Sequence, residues 1–113
     1  MAHDQDTFDL QEMQAAAARA CSLLKTLGNA DRLLLLCQLT QGEFCVSELE
    51  TTLGIQQPTL SQQLGVLREE QLVNTRREGK QIYYSLASKE ATAVMQILYQ
   101  LYCVKQPGEN DGN

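Results

Sequence analysis

The chain has 113 residues, 43% of them hydrophobic, and carries nine basic against fourteen acidic side chains for a formal net charge of −5. That length holds one domain with a modest core, which a partner subunit would help to cover, and leaves no room for a second. No apolar run reaches membrane-spanning length and no basic leader precedes an apolar stretch, so a cytoplasmic protein with no membrane partner is expected.

Residues 1 to 8 are polar and expected to be disordered. From Asp9, with Glu12 three positions on, an alanine-rich helix runs toward Leu27, and Gly28 ends it. Asn29 can cap a second helix, ADRLLLLCQLTQ, whose consecutive leucines imply a core helix covered on nearly all its faces. Next, Ser47 and Glu50 have the S-x-x-E spacing of a capping box. Leu49 and Leu53 share a face of the short helix that follows, and Gly54 supplies the left-handed position at its end. Pro58 fits the first position of another helix, with Gln57 as its cap. There Leu60, Leu64 and Leu67 recur at helical spacing and face inward. The opposite face, with Gln56, Gln57, Thr59, Ser61, Gln62 and Gln63, offers the small or bidentate donors and acceptors that suit base edges in a major groove. Helix, tight turn and polar-faced second helix together predict a helix-turn-helix.

LVNTRREGKQIYYSL follows, where Val73 and Thr75 alternate with polar neighbours and Ile82, Tyr84 and Leu86 do so on the return. This pattern predicts a hairpin with Glu78-Gly79 at its tip. Arg76, Arg77 and Lys80 flank that tip and would lie along a phosphate backbone beside the reading helix. The charge distribution agrees. Residues 56–89 hold five basic and three acidic side chains, whereas residues 1–55 hold three and eight, so a locally basic face sits on an acidic body. Ser88 can cap a last helix through Cys103, striped by Ala91, Met95, Leu98 and Tyr102, and residues 104–113 read as a mobile tail. The fold class is therefore mainly α with a small β-hairpin, in one DNA-binding and dimerisation domain over residues 9–103. The first and last helices carry more apolar surface than one small domain needs. A homodimer through them would set two reading helices roughly 34 Å apart, for an imperfectly palindromic duplex.

Four cysteines, Cys21, Cys37, Cys45 and Cys103, in a reducing compartment do not suggest a permanent disulfide framework. Cys37 follows four leucines and can be read as an inert core thiol, while Cys103 ends a helix beside the tail, where access is good. Cys21 reads as packing. Cys45 precedes a helix N-terminus that can lower its pKa, which leaves it an accessory role. The single histidine, His3, lies in the polar start, and no C-x-x-C pair or cysteine-histidine arrangement supports catalysis. No metal site and no cofactor are expected from the residues.

The order LGNADRLLLLCQL, GEFCVSELE, IQQPTLSQQLGVLREEQLV, RREGKQIYYSL and a closing helix resembles the ArsR/SmtB family of bacterial repressors, over residues 15 to 103. That resemblance implies a winged-helix homodimer that leaves DNA when an inducer binds. Zinc-type members place Asp and His, then His and Glu, on the last helix, whereas KEATAVMQILYQLYC has neither His nor Asp. Arsenite-type members carry a C-V-C pair where this chain reads Cys45-Val46-Ser47, one thiolate where a soft metal needs two or three. Arg32-Leu33 to Cys37-Gln38-Leu39, and Leu101-Tyr102 before Cys103, match instead the persulfide- and redox-sensing branch of BigR, SqrR and HlyU type. What that branch implies is a reactive sulfur species as inducer, with Cys37 and Cys103 joined by a disulfide or polysulfide bridge. Two alternatives stay open: a soft-metal-responsive repressor using Cys45 with other thiols, and a constitutive DNA-binding module with inert thiols.

Overall fold

The computed structural model describes residues 9–103; the expectations for residues 1–8, His3 and the tail lie outside the described residues. Helix α1 spans Leu10–Leu27 and α2 spans Ala30–Leu39. A two-residue strand β1, Phe44–Cys45, leads straight into α3, Val46–Leu53, and α4 spans Gln57–Glu69. Strands β2, Val73–Glu78, and β3, Gln81–Leu86, form the hairpin, and α5, Lys89–Tyr102, closes the described chain. No described helix is long and apolar enough to cross a membrane.

The caps explain where several elements begin. Asn29 accepts from Arg32 N–H at 3.0 Å and Ser88 from Ala91 N–H at 3.0 Å, as expected of N-caps. Two starts differ from the sequence reading. Helix α3 begins at Val46, with Cys45 in the cap position and the Glu48 carboxylate accepting the Cys45 N–H at 3.0 Å, two residues before the Ser47/Glu50 box. The cause is β1: Cys45 is held extended opposite Tyr83 of β3, so the chain leaves the sheet directly into the helix. Helix α4 is capped at Gln56 rather than Gln57, which puts Pro58 at the second helical position. Proline is tolerated there as well, because none of the first four N–H groups has a partner inside a helix.

Antiparallel pairing of β1 and β2 on either side of β3 makes a three-stranded sheet in the order β1-β3-β2, one strand more than the hairpin alone. Glu78 faces Gln81 across a two-residue turn whose Gly79 has φ 63°, a left-handed position that glycine takes without strain. Gly54 ends α3 in the same way, with φ 71°.

The core forms where α2, α3, α4 and the base of α5 converge: Leu35, Leu36, Leu49, Leu60, Leu64, Leu67 and Met95 are all fully buried. Leu64→Ala should destabilise the protein by about 2–5 kcal/mol, because the surrounding leucines collapse only partly into the space left behind; a urea unfolding midpoint measures it. The run of four leucines is not covered all round, however. Leu35 and Leu36 are buried, but Leu34 is 45% exposed and lies one turn from Cys37 on an open face of α2. Helix α1 is more open still. Only Thr26 and Leu27 of its eighteen residues are buried, and Leu10, Met13 and Leu24 are exposed. On α5 the expected stripe holds at Ala91 and Met95, whereas Tyr102 is 80% exposed along with Ile97, Tyr99 and Leu101.

Candidate nucleic-acid interface and thiol groove

Helix α4 packs on α2 and α3 through Leu60, Leu64 and Leu67, which leaves its other side free. Gln56, Gln57, Thr59, Ser61 and Gln62 are all exposed there, and Ser61 Oγ donates to Gln57 Oε1 at 2.8 Å, one turn apart. A free row of amide and hydroxyl groups can meet base edges without desolvating unpaired charge. Gln63 departs from the expected face: it is 9% exposed, and its Oε1 accepts from Arg32 Nη1 at 2.7 Å. It points into the protein rather than toward a duplex.

The hairpin carries its three expected cations in unequal states. Arg76 Nε reaches Glu43 at 2.9 Å, its Nη1 reaches Glu78 at 2.6 Å, and the guanidinium lies 4.8 Å from the centre of the Tyr83 ring. Hydrogen bonds to those two carboxylates raise its pKa further above the ordinary arginine value. A phosphate contact by Arg76 would therefore require exchange of one partner for another, at a site exposed enough that the ion pairs are weak. Arg77 Nε instead donates to the Gly79 carbonyl at 3.2 Å, and Lys80 sits exposed in the turn. Among the described residues neither is within ion-pair reach of a carboxylate. Glu43→Gln should leave Arg76 with Glu78 as its one remaining carboxylate partner and strengthen non-specific DNA binding by about two- to fivefold, with a steeper salt dependence; fluorescence anisotropy on a random duplex checks it.

All four cysteines are free thiols. Cys37 on α2 and Cys103 at the end of α5 are both exposed, and both line one groove of about 960 Å³ together with Leu34, Met95, Ile97 and Tyr99. Cys37 Sγ lies 3.8 Å from Met95 Sδ. Partial burial of its sulfur at the groove wall pushes the Cys37 thiol above its ordinary pKa, although the residue as a whole is exposed, and the negative charge of a Cys103 thiolate pushes it further the same way. A raised pKa means fewer thiolates at neutral pH, so alkylation of Cys37 should accelerate as pH rises past the usual cysteine range. Cys103→Ser removes the second cause and should move that profile to lower pH, as iodoacetamide labelling followed by mass spectrometry would read.

Cys45, read as an accessory thiol before a helix N-terminus, is 4% exposed with its sulfur 3.3 Å from Ser47 Oγ. Cys21, expected to pack, is exposed on the open surface of α1. Among the described residues no three histidine, cysteine, aspartate or glutamate side chains gather as metal ligands would.

The bacterial regulatory protein family named arsR matches residues 29–75, which run from the cap of α2 into β2. A biofilm growth-associated repressor of Agrobacterium fabrum is 54% identical over 101 residues, covering 89% of this chain and 85% of that protein. Two solved structures superpose closely. The transcriptional repressor BigR from Xylella fastidiosa has a TM-score of 0.79 at 48% identity, covering 87% of this chain and all of that one. Reduced HlyU from Vibrio cholerae has a TM-score of 0.80 at 44% identity, covering 83% and 99%. Taken with the winged helix-turn-helix architecture, these matches place the chain in the ArsR family of bacterial regulatory proteins, on the branch of BigR and HlyU, as a transcription regulator and not an enzyme.

Proposed function

We propose that the protein is a cytoplasmic, homodimeric repressor that binds an imperfectly palindromic operator and releases it when a reactive sulfur species joins Cys37 to Cys103. The observation that carries this reading is the shared groove: two thiols 66 positions apart in sequence open onto one cavity. Gln56, Gln57, Thr59, Ser61 and Gln62 of α4 would read bases, while Arg77 and Lys80 of the hairpin, with Arg76 once exchanged, would hold phosphates. The unpartnered apolar faces of α1 and α5 support the dimer.

The chemistry closes without a cofactor. With a dialkyl polysulfane as donor, the Cys103 thiolate, at the exposed end of α5, attacks an inner sulfur, and the donor's S–S bond breaks to release one thiolate or perthiolate. The Cys37 thiolate then attacks the Cys103-linked chain and displaces the second. The two cysteines are oxidised by two electrons, which the donor accepts as two leaving groups, and the protons of the two thiols pass to solvent. A direct disulfide requires α-carbons within about 7 Å, whereas each inserted sulfur lengthens the bridge by about 2 Å. The bridge would tie α2 to the end of α5. Cys45 is buried, and among the described residues no three histidine, cysteine, aspartate or glutamate side chains gather as a soft-metal alternative would need.

Gel-shift titration of the DNA upstream of the protein's own gene with reduced, peroxide-treated and polysulfide-treated protein tests the reading. Operator binding by the reduced form and its loss after polysulfide, with sulfur added between Cys37 and Cys103 by mass spectrometry, is the expected result. Equal binding in all three states would make the protein a constitutive module.

A further inference from the structure

Arg32 lies in the first turn of α2, and its guanidinium is turned toward neighbouring helices. Nε donates to the Thr26 carbonyl at 2.6 Å, Nη1 donates to Gln63 Oε1 at 2.7 Å, and Nη2 lies 3.5 Å from the Lys25 carbonyl. The two carbonyls belong to the last turn of α1, where a cation is favoured by the helix dipole; the Lys25 carbonyl already accepts the Gly28 N–H at 3.2 Å, whereas the Thr26 carbonyl takes the short bond from Arg32. Gln63 is on the inward side of α4 beside the fully buried Leu60 and Leu64. One planar fork thus joins three helices. A lysine, a point charge with no fixed second donor, could not span both partners in this way.

We propose that Arg32 is a positioning residue for DNA recognition: its link from the last turn of α1 to Gln63 sets the tilt of α4, and through α1 relates that tilt to the dimer contact. The Thr26 carbonyl fixes one prong and the Gln63 amide is the other, so rotation of α4 about its axis breaks the second bond and leaves a buried amide oxygen without a donor. The relation to the dimer rests on the function proposed above. The orientation of α4 within one subunit does not. A second contact, from Ser22 Oγ on α1 to Glu70 Oε1 at the C-cap of α4, is exposed and long at 3.4 Å, which leaves Arg32 as the inner of the two ties.

The test uses the full-length protein on a duplex that the wild type selects from a randomised library, with a scrambled duplex as control. Arg32→Met and Gln63→Met should each lower affinity for the selected duplex about tenfold, and the double variant should be no worse than either single one, as for two halves of one contact. The salt dependence should stay unchanged, since no phosphate contact is lost. Gln63→Glu keeps an acceptor for Arg32 and should bind within about threefold of wild type. Loss of binding in Gln63→Glu equal to that in Gln63→Met would overturn the proposal by making Gln63 a base reader. Unchanged affinity or a shallower salt slope in Arg32→Met would overturn it too, the latter by making Arg32 a phosphate contact. Should the methionine variants fail to fold, Arg32→Lys decides: a several-fold loss at an unchanged melting temperature supports the fork, and full affinity rejects it. Sedimentation of the wild type as a monomer would remove the dimer reading alone, because every comparison with Arg32 and Gln63 is made on the same duplex against the same reference.

Discussion

Cys103→Ser should leave operator affinity within about threefold of the wild type and abolish release by polysulfide, which in the wild type should weaken binding by about 5- to 150-fold, the usual range of a coupling between two sites. Affinity survives because Cys103 is exposed at the end of α5, far in sequence from every residue of α4, and serine replaces it without leaving a gap. Release fails because no second sulfur remains to tie α2 to α5. Cys37→Ser separates the two steps. The exposed Cys103 should still acquire sulfur, seen as added mass on its peptide, while the operator stays bound, since an adduct on one helix places no constraint on the other. A linked peptide pair containing Cys37 and Cys103 should appear only in the wild type. Release retained in either serine variant would assign the switch to another thiol, and the burial of Cys45 makes Cys21, exposed on α1, the next to examine.

The pattern of agreement follows the range of the forces involved. Asn29 and Ser88 cap their helices as read, because a cap is a contact between residues three apart. The hairpin register follows from alternation and one glycine. The start of α3 was misplaced because it depends on β1, a two-residue strand that exists only by pairing with Tyr83 and Tyr84 nearly forty positions later. Gln63 shows the same limit from the other side. Its spacing from Leu60 and Leu67 places it on the apolar stripe, yet an amide among leucines looks surface-exposed until a donor is known, and the donor is Arg32, 31 residues away. The ion pair of Arg76 with Glu43 was hidden for the same reason. The groove holding Cys37 and Cys103 was legible only through the family resemblance, since no periodicity says that the open face of α2 meets the end of α5.

On the proposed homodimer, Leu24→Asp on α1 and Leu101→Asp on α5 should each shift sedimentation from dimer to monomer and lower operator affinity by at least about 100-fold. Leu24 is 61% exposed and Leu101 66% exposed, and neither lines the groove of the cysteines, so a change at either site costs the isolated subunit little. In a dimer that buries them, each leucine contributes about 1.5–3 kcal/mol, and an aspartate in its place must lose hydration without gaining a partner. Counted over both subunits, that is enough to separate them at micromolar concentration. The operator loss follows from geometry. Two α4 helices held about one duplex turn apart bind both half-sites at once, whereas a monomer binds one, with roughly half of the contacts to bases and phosphates. Circular dichroism should remain helical, which distinguishes dissociation from unfolding. The Leu101 variant should still form the Cys37–Cys103 bridge on polysulfide treatment, because both thiols belong to one chain. A dimer of undiminished stability in both variants would show that these faces are not where the subunits meet.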